Sequence, residues 1–234
     1  MAHRGFTTTK GDNVIVLRAR ALLLDFDGVL VDSTAAVERA WTLWADERGL
    51  DRDEILANAH GRRSADVIRL IAPDLDVASE AARIETREVD SAHTVSAFEG
   101  ADTLLATLPA RRWAIVTSGT RKLATARLQA TGLPVPDVLV TADDVTEGKP
   151  SPDPYLLAAR TLDVAAEDCV VIEDAPAGAQ AARNAGMRAI AVISSHAAEE
   201  FDEPTAMVAA LTDITVTAGE HELEIAVMAL DEQV

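Results

Sequence analysis

Cysteine is nearly absent: Cys169 is the only one in 234 residues. An intrachain disulfide or a CxxC metal site is therefore excluded. Aromatic residues make up only 3% of the chain, so the core must be built from close-packed aliphatic side chains. Basic residues are scarce, 21 Lys and Arg against 39 Asp and Glu, for a net charge of −18. That balance speaks against nonspecific nucleic-acid binding, which needs clustered Lys and Arg, and against adhesion to anionic membrane surfaces. The deficit is local. No Lys or Arg follows Arg188, while ten acids lie between Glu199 and Glu232, which read as a solvated surface. The rest of the chain stays compatible with an anionic small-molecule substrate. Long apolar runs are missing too, and Ala21–Leu24 is far too short to span a bilayer. Residues 1–20 lack the apolar stretch of about 7–15 residues that a secretory signal needs. A cytoplasmic location is expected, with residues 1–18 as an N-terminal tail.

What the chain does contain is a repeated alternation. Arg20–Asp27 is an apolar run that ends in acids and a glycine, the mark of a strand buried on both faces. Similar runs recur at Trp113–Thr117, Val138–Thr141, Cys169–Glu173 and Ala189–Ile193. Helical patterns lie between them at Ala101–Leu108, Arg121–Ala130, Tyr155–Leu162 and Ala177–Ala185. This order predicts an α/β fold with a Rossmann-like parallel sheet. Residues 33–96 differ, because they hold four helical patterns and no strand candidate. The first carries Val37, Ala40, Trp41 and Trp44 at helical spacing and closes at Gly49; both tryptophans read as packing residues. The expected organisation is a core domain of residues 19–32 and 97–234 with a helical cap domain, 33–96, inserted after the first strand.

Four polar clusters stand at the C-terminal ends of the expected strands or just beyond: Asp25-Phe-Asp27-Gly28, Thr117-Ser118-Gly119, Lys149-Pro150 and Glu173-Asp174. That edge of a parallel sheet is where ligands bind. Carboxylates suit Mg²⁺, which usually shares its site with a phosphate. Hydroxyls beside a helix start suit phosphate oxygens, and a lysine offsets charge on a phosphoryl group. The set has the components of Mg²⁺-assisted phosphoryl transfer.

Asp25-Phe-Asp-Gly-Val-Leu-Val-Asp-Ser33, Val116-Thr-Ser-Gly119, Gly148-Lys-Pro150 and Ile172-Glu-Asp174 resemble, in order, the four motifs of the haloacid-dehalogenase-like hydrolase superfamily. The resemblance spans about residues 20–195. It implies that Asp25 is a nucleophile forming an aspartyl-phosphate and that Asp27 is the general acid and base. Thr117, Ser118 and Gly119 would hold the phosphate, and Lys149 would neutralise charge on Asp25 and the phosphoryl group. Asp25, the Asp27 carbonyl, Asp174 and Glu173 would hold Mg²⁺, Glu173 directly or through water. Many members carry a further acid at the position of Gly178, and Glu173 is expected to compensate.

An insert of this size after the first motif resembles the helical cap of the first subclass, which closes over small substrates. Its loop His60-Gly-Arg62-Arg63-Ser64 is expected to contact substrate, with no indication of which arginine points inward. Val37-Glu-Arg-Ala-Trp41, Trp113–Gly119, Gly148–Tyr155 and Glu173–Gly178 are similar to bacterial sugar-phosphate phosphatases and to glycerol-phosphate and deoxyhexose-phosphate phosphatases. A phosphatase acting on small sugar or polyol phosphates is expected, as a monomer or small homo-oligomer, with no nucleic-acid or membrane partner. The alternative is a β-phosphoglucomutase-type mutase. Such mutases resemble this chain in cap and last motif but carry a histidine where this chain has Val37.

Overall fold

A computed structural model describes residues 7–8 and 13–230. The chain enters through β1 (Thr7–Thr8) and β2 (Val14–Ala19), then turns into β3 (Ala21–Leu24). After β4 (Val31–Asp32) come four helices, α1 (Thr34–Arg48), α2 (Arg52–Ala59), α3 (Ser64–Ile71) and α4 (Val77–Asp90). The chain returns through β5 (Ser96–Ala97), α5 (Ala101–Thr107), β6 (Trp113–Val116), α6 (Arg121–Thr131) and β7 (Leu139–Val140). It continues with α7 (Asp153–Leu162), β8 (Cys169–Glu173), α8 (Pro176–Asn184) and β9 (Arg188–Val192). It ends in β10 (Ala206–Val208), β11 (Ile214–Ala218) and β12 (Leu223–Met228).

The central sheet has the order β10-β9-β8-β3-β6-β7, with every pair parallel. Its middle strands are apolar throughout because both faces are covered. Leu22, Leu24, Ile115, Val170 and Ile172 pack to one side, with α5, α6 and the antiparallel sheet. Ala21, Leu23, Ala114, Val116 and Val171 pack to the other, against Tyr155, Ala158 and Leu162 of α7 and Ala181 and Ala182 of α8. Cys169 is fully buried in β8. Register aligns Leu24 with Ile115 of β6 and Ile172 of β8. The residues that follow these three strands therefore emerge on one edge.

The helices α1–α4 have an apolar centre of their own, in which Trp41 and Trp44 are buried against Ile55, Val67, Ile68 and Ile84. The two tryptophan rings meet edge to face at 5.6 Å. Trp44 Nε1 donates to Glu80 at 2.7 Å, which satisfies the indole N–H that burial of this ring takes from water. The two connections to this helical unit run together as a ribbon, since β4 and β5 pair antiparallel.

Two expectations are corrected at the chain ends. Residues 14–18, read as tail, lie in β2, and Leu17 is buried. Thr7–Thr8 lie in β1, and residues 1–6 and 9–12 lie outside the described residues. The acidic C-terminal stretch is not surface alone. The antiparallel sheet β1-β2-β12-β11 turns Leu223, Ile225 and Val227 of β12 inward, while Glu224 faces out. No described helix is long and apolar enough to cross a membrane.

Candidate active site

The first motif is shaped by a tight turn. Leu30 and Val31 amides both donate to the Phe26 carbonyl, and Gly28 donates to Val31. Gly28 has φ +80°, and a Cβ there would fall 1.8 Å from Asp174 Oδ2. Only glycine fits both the left-handed backbone and the close approach of the last motif.

Asp25 follows β3 and is 3% exposed. Its Oδ1 accepts from the Phe26 amide at 2.8 Å and lies 2.9 Å from Lys149 Nζ. Lys149 also donates to Glu173 Oε1 at 2.7 Å and to the Val116 carbonyl at 3.0 Å. Glu173 is fully buried; Tyr155 donates to the same Oε1, while the amides of Asp174 and Ala175 donate to Oε2. Asp25, Glu173 and Asp174 bring carboxylate oxygens within 4.8 Å of one another.

This grouping places three buried carboxylates beside one ammonium. Burial, with Glu173 nearby, pushes the Asp25 carboxyl up to about 8 despite Lys149. Burial, with Glu173 and Asp25 alongside, raises Asp174 well above the usual carboxylate range. Burial works against the charge on Lys149, but Asp25 and Glu173 outweigh it and hold its pKa above the ordinary value. Asp174 Oδ1 is buried with no hydrogen-bond partner among the described residues. An orphaned carboxylate oxygen in an all-oxygen cluster with excess negative charge fits a hard divalent cation. Asp174, Asp25 and the Asp27 carbonyl, which accepts no hydrogen bond among the described residues, could hold one. Glu173 already has a donor on each oxygen.

Asp27 lies at the mouth of this cluster. Its Oδ1 accepts from Ser33 Oγ at 2.8 Å and from Arg127 at 2.7 Å. Arg127, on α6, has no counterpart in the sequence reading. Thr117 is 3% exposed and its hydroxyl accepts from the Gly119 amide at 3.0 Å. The helix behind this motif starts at Arg121, capped by Thr120. The Ser118 and Thr120 amides have no acceptor among the described residues.

The loop His60–Ser64 comes down onto this edge. Ser118 Oγ donates to the Gly61 carbonyl at 2.9 Å, which turns that hydroxyl toward the loop. A Cβ on Gly61 would fall 2.5 Å from Ala175 Cβ. Arg63 pairs with Asp66 at 2.6 Å, donates to the Val145 and Thr146 carbonyls, and passes over Gly148. Its guanidinium is a strut between the two halves. Arg62 has no hydrogen bond or ion pair among the described residues and lines the cleft. His60 packs edge to face on His196 at 5.9 Å, and burial together with His196 lowers its pKa. The cleft between helices α1–α4 and the sheet edge has a volume of about 400 Å³, and is lined by Asp25, Asp27, Thr117, Asp174, Trp41 and Arg62 among others.

The family profile of the haloacid dehalogenase-like hydrolases matches residues 19–186. The chain is 42% identical to hexitol phosphatase A of Escherichia coli over 86% of its own length and 95% of that protein's. It is 35% identical to 2-deoxyglucose-6-phosphate phosphatase 1 of Saccharomyces cerevisiae, covering 74% of this chain and 80% of that one. Among solved structures it resembles CbbY from Rhodobacter sphaeroides in complex with phosphate, at 28% identity and a TM-score of 0.71, over 82% of this chain and 94% of that one.

Proposed function

The chain belongs to the haloacid dehalogenase-like hydrolase family, and on that premise we propose that it is a Mg²⁺-dependent phosphatase that hydrolyses small sugar or polyol phosphate monoesters through an aspartyl-phosphate. The observation that carries this reading is the buried Asp25–Lys149 pair beside the orphaned oxygen of Asp174. Relatives named as hexitol, 2-deoxyglucose-6-phosphate and glycerol-1-phosphate phosphatases support the substrate class.

Lys149 and the Phe26 amide hold Asp25 by Oδ1, which leaves Oδ2 to attack phosphorus. The new Oδ2–P bond forms as the bond from phosphorus to the sugar oxygen breaks. Asp27 gives that departing oxygen its proton. The same carboxylate then takes a proton from water as the water oxygen bonds to phosphorus. The Asp25–phosphorus bond breaks, and inorganic phosphate leaves with Asp25 restored. When bound, Mg²⁺ would be held by Asp25, the Asp27 carbonyl and Asp174, with Glu173 behind them in the same carboxylate cluster, and would supply charge neutralisation for the phosphoryl oxygens. Thr117 and the free Ser118 and Thr120 amides serve as phosphate donors. Ser118 Oγ and Arg63, both spent on cap–core contacts, act through that docking. Arg62 and His60 meet the substrate.

Residues 33–96 act as a cap domain on a core of 14–32 and 97–230, which now includes β2, with specificity set where they meet. Val37 lines the cleft and carries no proton, so Asp27 activates water as soon as the alcohol has left. This favours hydrolysis over a mutase reaction, in which a sugar hydroxyl would take the phosphate. The reading retains a cytoplasmic enzyme working as a monomer or small homo-oligomer.

The test is phosphate release with Mg²⁺ across polyol, pentose and hexose phosphates, with Asp25→Asn as the inactive control. β-Glucose 1-phosphate with a trace of the bisphosphate, followed by ³¹P NMR, covers the alternative. Glucose 6-phosphate appearing much faster than inorganic phosphate would overturn hydrolysis.

A further inference from the structure

Arg127 is a charged side chain left almost without solvent, 2% exposed on α6. Arginine is rarely buried so fully unless paired. It is paired twice, to Asp27 Oδ1 at 2.7 Å and to Glu88 Oε1 at 3.2 Å. Asp27 belongs to the turn after β3, and Glu88 to the last part of α4. One guanidinium thus joins the sheet edge to the helical unit across the cleft, and nothing in the reaction described above uses it.

We propose that Arg127 is a positioning residue for the general acid: braced by Glu88, it grips Asp27 through Oδ1 and leaves Oδ2 as the oxygen that exchanges the proton. The proposal rests on the phosphatase reading. Oδ1 takes two donors, Arg127 and Ser33, and Oδ2 takes none among the described residues. Donors from two different elements on one oxygen leave the carboxylate little freedom to turn. The Arg127 contact is charge-assisted and so is the stronger of the two. The planar fork matters as well. Nη1 reaches Asp27 while Nη2 reaches Glu88, and a lysine, with a single point charge, cannot span both in the same geometry. A proton donor misplaced by about 1 Å can lose two orders of magnitude in rate.

A purely structural bridge between α4 and α6 would make a different prediction, and the leaving group separates the two. An alkoxide departing from glycerol 1-phosphate needs a proton, whereas 4-nitrophenolate departs without one. The experiment measures single-turnover phosphoryl transfer, with enzyme in excess and Mg²⁺ present, from both esters. Arg127→Met and Arg127→Lys are expected to slow transfer from glycerol 1-phosphate by about 10²-fold. They are expected to change release of 4-nitrophenolate by no more than a few-fold. Asp27→Asn should show the same split, and the double variant Asp27→Asn/Arg127→Met should be no slower than Asp27→Asn alone, because the two residues act as a unit. Arg127→Lys keeps the buried positive charge, and decides the matter if Arg127→Met does not fold. Equal slowing of both esters, or no slowing of either, overturns the proposal alone. A wild-type enzyme that turns over neither ester overturns the phosphatase reading and the proposal with it.

Discussion

Glu173 occupies the space that a side chain at Gly178 would need. A Cβ on Gly178, in the first turn of α8, would fall 1.7 Å from Glu173 Oε1. The Glu173 carboxylate fills that volume from the strand side and supplies the negative partner for Lys149.

Gly178→Ala is expected to destabilise the protein, although alanine is the better helix former by about 1 kcal/mol. The added methyl must displace Glu173, and overpacking of this kind costs about 1–3 kcal/mol. Denaturant unfolding checks this. The loss of activity should exceed the loss of folded protein, because Lys149 moves with Glu173.

Mg²⁺ should raise the melting temperature of the wild-type protein, since it binds the folded cluster and not the unfolded chain. Asp174→Asn removes a carboxyl whose ionisation burial and Glu173 oppose, and at neutral pH should melt higher than wild type without metal. It should also lose most of the Mg²⁺-induced shift. Calorimetric titration with Mg²⁺ gives the matching affinity loss, and unchanged binding would remove Asp174 from the ligand set.

Glu88 gives the metal-free protein a pH signature. Burial pushes it from the ordinary 4.5 up to about 7, against the pull of Arg127. A raised carboxyl binds its proton more tightly when folded than when unfolded. Its contribution to stability is therefore complete below about 4.5 and is lost as pH rises to about 7. Glu88→Gln should flatten that fall in urea midpoints measured from pH 4.5 to 7. An unchanged slope would assign the fall to other groups.

Adjacent arginines should separate cleanly. Arg62→Ala is expected to raise KM for a sugar phosphate about tenfold or more, with the melting temperature unchanged, because its guanidinium lines the cleft and has no partner among the described residues. Arg63→Ala should lower the melting temperature and affect kcat together with KM, since it ties the cap loop to the Val145 and Thr146 carbonyls. The reverse pattern in kinetics and melting would exchange their roles.

The parallel sheet and three of its four site loops are legible because β3, β6 and β8 are short apolar runs followed at once by functional residues, while Lys149 lies nine residues beyond β7. The antiparallel sheet is not legible in the sequence, although Leu223-Glu-Ile-Ala-Val-Met228 has a two-residue period. Its acids mask that period, and its partner β2 lies at the other end of the chain. No local pattern announces such a pairing. Arg127 was invisible for a related reason. In Arg121–Thr131 it reads as one more polar helix residue, and its burial depends on Asp27 and Glu88 arriving from elsewhere. Arg62 and Arg63 are equivalent in sequence, and only side-chain direction distinguishes them.

The aspartyl-phosphate is tested most directly by rapid acid quench of the enzyme with a ³²P-labelled sugar phosphate and Mg²⁺, followed by peptide mass spectrometry. The account predicts a transient, base-labile phosphate on the peptide containing Asp25, formed before inorganic phosphate appears and absent in Asp25→Asn. Release of inorganic phosphate with no labelled protein at any time, or undiminished release by Asp25→Asn, would contradict it.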